Sequence, residues 1–208
     1  VKVLNYTLQY PSWLFPGTSQ YTADPAPQGL FSKRILNTMA PWTWWQAART
    51  IAGWKPDFIL IRYWTPWLAA SLGSVMRLLP GMGCNVPRIL LADNLLPHES
   101  LPLTDPLNRW ILGATDALVT LSDSVGDQAA AFGYLGLRKV LKHPVYDHFG
   151  PGLDRAEACS RLTLDPGFRY LLFFGLIRSY KGLDLLLRAL CSPDFPFWSG
   201  EEGKGWKL

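Results

Sequence analysis

Short unbroken apolar runs alternate along this chain with longer segments in which apolar residues return every three or four positions. The runs within "KPDFILIRYW", "VPRILLAD", "DALVTLS" and "RKVLKH" predict strands, and Phe58, Ile59, Leu60 and Ile61 in succession predict burial on both faces. The segments between them predict helices. "PWTWWQAARTIAGW" has Pro41 in its first turn and Gly53 at its end, and "PWLAASLGSVMRLL" closes at Pro80 and Gly81. "TDPLNRWILGAT" offers Thr104 as N-cap and a stripe of Leu107, Trp110 and Ile111. Ser122 can cap "DSVGDQAAAF", which stops at Gly133. Buried strands alternating with helices imply right-handed crossovers, hence a parallel sheet with helices on both faces: an α/β, Rossmann-like domain. Ahead of this series, residues 1–31 predict one strand and a long ordered loop.

The rhythm breaks at 144–168, which is dense in turn formers apart from a short connecting helix in "DRAEACSRL". It restarts with a strand at 169–174 and a helix at 182–190 whose stripe is Leu183, Leu186, Leu187 and Leu190. The expected organisation is a domain at 1–150, a connection at 151–168 and the opening strand and helix of a second Rossmann-like domain at 169–208. The tail from 191 has neither period and is expected to be irregular.

Composition narrows the function classes. With 49% apolar and 17% charged residues, the chain can bury a core and is not a disordered segment. A net charge of +4 and a pI near 9.0 suit anionic ligands or an anionic membrane surface, without the clustered cations of a nucleic-acid binder. Cys84, Cys159 and Cys191 lack metal or redox spacing and leave one thiol unpaired, which favours a cytoplasmic setting. The apolar region 58–79 is broken by Arg62, Pro66 and Arg77, too often for a membrane span. Trp42, Trp44 and Trp45 crowd together among ten tryptophans. Core packing is the first explanation; a surface docking on a membrane or protein is the second.

Three strand-end loops carry polar chemistry, at the place where open parallel sheets bind ligands. In "LLFFGLIRSYKGLDLLLRAL", Gly175 frees the turn, and Arg178 and Lys181 stand before a helix N-terminus. They form either a diphosphate cradle or two solvated turn residues. In "ADNLLPHES", Asp93, Asn94, His98 and Glu99 either orient hydroxyls and move a proton or cap a turn. In "LSDSVGDQ", Ser122 is an N-cap; no G-x-S-x-G elbow surrounds it. His98, His143 and His148 have no metal-ligand spacing.

Together "QYPSWLFPGTSQY", "KPDFILIRYWTPWLA", "ADNLLPHES", "DALVTLSDSV", "KHPVYDHFG" and "LLFFGLIRSYKGLDLLLRAL" resemble glycosyltransferase family 4, the retaining, metal-independent group 1 enzymes of the GT-B fold. The resemblance spans most of 9–190 in the family's order. It implies that the first domain takes the acceptor (a glycan, a lipid-linked sugar or a small molecule) and the second a nucleotide-sugar co-substrate, with no other cofactor. Gly175, Arg178, Lys181 and Gly182 match the diphosphate-binding positions, although many members place the arginine directly after the glycine. Asp93 stands where many members carry a histidine; with His98 it is the implied catalytic candidate, and Asn94 and Glu99 border the acceptor. The family's Gly-rich loop would precede Val1 and its E-x7-E motif would follow Leu208. A fragment truncated at both ends, with little turnover by itself, is therefore expected, with a peripheral place at the inner membrane face as an option.

Overall fold

Four parallel strands in sequential order form the largest sheet of the chain: β3 (Ile59–Tyr63), β4 (Arg88–Ala92), β5 (Ala117–Thr120) and β6 (Leu137–Val140). The computed structural model describes all residues except 16, 18, 22–27, 98–102, 148, 176, 193–205 and 208. The chain divides into two compact units, Val1–Pro144 and Val145–Leu208. The first unit is α/β with a parallel sheet, a Rossmann-like arrangement.

Two further strands open the first unit, β1 (Lys2–Leu8) and β2 (Phe31–Asn37), paired in parallel with irregular register between Asn5 and Leu8. β2 escapes a periodicity reading because "FSKRILN" places Lys33 and Arg34 mid-strand, and only its end is buried, at Leu36. Helix α1 (Pro41–Gly53) follows, then β3, a 3-10 turn at Pro66–Leu68, and α2 (Ala69–Gly81). Helices α3 (Thr104–Leu112) and α4 (Asp123–Ala131) lead into β5 and β6. Ser122 caps α4, accepting the Val125 N–H at 3.4 Å. Thr104 does not cap α3: it is already helical, and Leu103 before it holds a left-handed φ of 63°.

Two expectations about burial change. Strand β3 alternates, with Leu60 57% exposed between half-buried Ile59 and Ile61. Among the described residues it pairs only with β4, an edge position, and its alternation shows one face covered and the other open. Crossovers that all advance in one direction put their helices on one face if each is right-handed, which agrees with α2 packing on both α1 and α3. In α3 the buried side holds Asn108, Ile111 and Leu112 rather than Trp110, which lies outside beneath the Arg77 guanidinium at 3.7 Å. Two apolar cores result. Tyr63, Leu68, Met76, Leu90, Ile111 and Leu118 anchor one, and Leu36, Ala47, Ala48, Val75 and Leu79 the other, with Tyr6 and Leu72 touching both.

The second unit holds α5 (Arg155–Leu162), β7 (Arg169–Tyr170), a 3-10 turn at Ser179–Lys181, α6 (Leu183–Leu190) and β8 (Trp206–Lys207). Asp154 caps α5 through the Glu157 N–H at 2.8 Å, and Glu157 pairs with Arg161 one turn on. The strand expected at 169–174 shortens to two residues, and Leu172 and Phe174 are exposed. A strand buried on both faces needs neighbouring strands and covering helices of its own sheet; among the described residues β7 has only the two-residue parallel partner β8, in a tail expected to be irregular. For the same reason the leucine stripe of α6 stays at most half-buried.

Candidate functional site

The C-terminal ends of the first unit's strands form a hydrogen-bonded rim. Trp64, just past β3, donates its indole N–H to the Tyr10 hydroxyl just past β1 at 2.8 Å, which ties the two strand-end loops together. Gln20 clasps the loop between: its Oε1 accepts from Gln9 N at 3.1 Å and Tyr10 N at 2.8 Å, and its Nε2 donates to Tyr10 O at 2.6 Å. The Gln9 carbonyl accepts from Trp67 Nε1 and Thr38 Oγ1, both at 3.0 Å. Beside this loop lie two small cavities that share Gln9, Gln20 and Tyr21. One, of about 150 Å³, is also lined by Asn5, Tyr6 and Arg34; the other, of about 230 Å³, by Tyr10, Phe15 and Ser19.

Asp93 leaves β4 on this rim. Its N–H donates to Tyr63 O at 2.8 Å, which extends the β3–β4 ladder by one rung and fixes the carboxylate. Arg62 grips one oxygen, with Nε and a terminal nitrogen 3.1 and 2.9 Å from Oδ2. Oδ1 is buried and has no hydrogen-bond partner among the described residues. A carboxylate so held keeps acceptor capacity beyond the Arg62 grip, the property needed to take a hydrogen bond or proton from a hydroxyl, although Oδ1 itself is closed to solvent. Asn94 is half-buried next to it, and His98 and Glu99 lie outside the described residues.

A buried polar tie supports the loop. Tyr63 Oη donates to Asn108 Oδ1 at 2.6 Å, and Asn108 Nδ2 donates to Leu95 O at 2.7 Å. Burial pushes the Tyr63 phenol well above its ordinary range, so it remains a donor. The sequence assigns neither Arg62 nor Asn108 to the site. Each left a trace: Arg62 is the one charge in an apolar strand, and Asn108 is a polar residue three and four positions before Ile111 and Leu112.

In the second unit, Gly175 has φ +117° and Gly182 φ +70°, conformations that side chains with a Cβ rarely adopt. Between them Arg178 and Lys181 bracket the 3-10 turn, Lys181 N donating to Arg178 O at 3.0 Å. Arg178 enters the turn in an extended conformation and Lys181 closes it, so the two cations stand at its two ends. Gly182 is the N-cap of α6 and supplies no side-chain cap, leaving first-turn N–H groups to other acceptors. Asp184 already places one carboxylate in that first turn, and the cations exceed it in charge. The Lys181 ammonium stands 5.5 Å from the Tyr180 ring centre.

Among the described residues no cluster of three or more His, Cys, Asp or Glu could hold a metal ion, and no helix is long and apolar enough to cross a membrane. Cys84, Cys159 and Cys191 are free thiols. No protein-family profile and no solved structure matches the chain. A curated protein does: the lipopolysaccharide core biosynthesis mannosyltransferase LpsB of Rhizobium meliloti (strain 1021) is 30% identical over 118 residues, 53% of this chain and 34% of that protein. The match thus spans about a third of that relative's length.

Proposed function

We propose that this chain is part of a glycosyltransferase that moves a sugar from a nucleotide-diphosphate donor to a hydroxyl acceptor. The likeness to a mannosyltransferase carries this reading. The anchored carboxylate of Asp93 at a strand end supports it from the chemistry. The finer assignment is a retaining, metal-independent enzyme of family 4 with the GT-B fold, working at the cytoplasmic side. In the reaction the bond from the sugar C1 to the diphosphate oxygen breaks and its electron pair stays on the diphosphate. Arg178 and Lys181 offset that charge, together with the N–H groups at the start of α6; Gly175 and Gly182 let the backbone approach. The acceptor hydroxyl forms the new C1–O bond and passes its proton to the Asp93 carboxylate, with Asn94, His98 and Glu99 completing the acceptor side.

The test separates chemistry from scaffolding by comparing Asp93→Asn with Arg62→Gln in sugar transfer by the whole protein. General acid–base assistance is worth about 10²–10⁴-fold, so Asp93→Asn is expected to lower kcat at least a hundredfold. Arg62→Gln, which removes only the grip, is expected to lower it less than about tenfold, the worth of an exposed ion pair. Equal losses in the two variants would reduce Asp93 to a structural partner.

A further inference from the structure

Helix α1 has a face that its own fold leaves unused. Ala47 and Ala48 point into the core, and Trp44 is half-buried with its indole N–H donated to Asn37 O at 2.7 Å. Trp42, Trp45 and Arg49 follow at helical spacing on the outer side. Trp42 is 67% exposed, Trp45 47%, and Met39 just before the helix 53%. The Arg49 guanidinium lies 5.3 Å over the Trp45 ring. A shallow groove of about 460 Å³ lined by Trp45, Arg49, Ala52, Gly53 and Met82 continues this face. At the far end of the helix, Trp54 meets Phe31 edge-on at 5.8 Å and the Lys2 ammonium at 5.7 Å. Single exposed apolar side chains are ordinary; two indoles, a thioether and a guanidinium in a row form a patch that calls for a partner.

Charge selects among partners. Residues 1–55 contain Lys2, Lys33, Arg34, Arg49 and Lys55 against Asp24 alone, which equals the +4 of the entire chain. The other 153 residues carry as many acids as bases. Helix α1 itself has no acidic residue. A row of indoles with cations and no acids on an exposed helix face matches a bilayer interface, where tryptophan sits at headgroup depth and cations meet lipid phosphates. We propose that this face docks on an anionic lipid bilayer, with Trp42 and Trp45 among the headgroups and Arg49 and Lys2 at the phosphates. The docking is interfacial rather than spanning, and it stands independently of the transfer chemistry.

Co-sedimentation of the chain with vesicles of phosphatidylcholine mixed with phosphatidylglycerol, and of phosphatidylcholine alone, tests this. The chain is expected to bind the mixed vesicles at least tenfold more tightly, and added salt is expected to weaken that binding. Trp42→Ala/Trp45→Ala is expected to lose at least tenfold on mixed vesicles, while Leu135→Ala, at an exposed leucine elsewhere, keeps full binding. Arg49→Gln, which spares every indole and so guards against a misfolded tryptophan variant, is expected to lose about fivefold. Equal binding by the chain and the double variant, equal binding to both vesicle types, or no binding at all would each overturn the proposal. So would a chain dimer in sedimentation velocity that the double variant dissolves, because the face would then serve a second copy.

Discussion

Tyr63→Phe is the sharpest single perturbation of the first unit. The ring stays, so apolar burial is unchanged, and only one O–H is removed. What is left is Asn108 Oδ1 without its donor, in a side chain with no solvent exposure. A buried acceptor stranded in this way costs about 1–3 kcal/mol. For a chain of this size, about 2 kcal/mol corresponds to a fall in Tm of roughly 4–8 °C. Urea unfolding followed by circular dichroism should show an earlier midpoint with an unchanged slope. The damage should also be directional: Asn108 holds Leu95 O at 2.7 Å, so the Leu95–Leu96 segment beside Asp93 should exchange its amide hydrogens faster in the variant. A double-mutant cycle with Asn108→Leu isolates the pair and should return a coupling of about 1 kcal/mol or more. A change in stability below about 0.3 kcal/mol, within the additivity error of such cycles, would refute the claim that this tie holds the loop.

Two further outcomes concern single residues. Asp116 accepts three hydrogen bonds from Arg88, and this holds its carboxyl below the usual carboxylate range. Stability from the pair is therefore present above the unfolded carboxylate value near ~3.9 and lost as pH falls through the lower folded value. Asp116→Asn should cost about 1 kcal/mol at neutral pH, as for a well-aligned exposed pair, and should flatten the acid limb of stability measured against pH. Gly182→Ala should destabilise the start of α6 by about 1–2 kcal/mol, because its φ of +70° brings a Cβ against the following carbonyl oxygen; a neutral result in thermal unfolding would show that the turn can relax.

The parts of the fold that show in the sequence are those whose signals are local. Pro41 opens α1 as its fixed φ allows, Gly53 is its last residue, and Ser122 caps α4. Strands β3 to β5 follow from apolar runs spaced by helices, and β6 from its place in that series. What escaped depends on partners distant in sequence. Strand β2 looks polar because its burial begins only at its end, and the exposed face of β3 depends on which side of the sheet the helices cover. The run at 169–174 has strand composition, yet composition does not supply the neighbours that would bury it. At the site, Asp93 and Asn94 could be placed by the strand-end rule alone. The Arg62 grip, between residues 31 positions apart, and the Tyr63–Asn108–Leu95 tie exist only once β3, β4 and α3 are assembled. Trp44 and Trp45 are adjacent and alike in sequence, but helical rotation sends one inward to Asn37 and leaves the other outside.

The diphosphate contact is the hinge of the functional account, and Lys181 tests it with one measurement: the affinity of the whole protein for a nucleoside diphosphate, by titration calorimetry, with and without Lys181→Ala. A hydrogen bond to a charged group contributes about 1.5–3 kcal/mol, so the account predicts roughly ten- to hundredfold weaker binding in the variant. Identical affinity in the two proteins would contradict it.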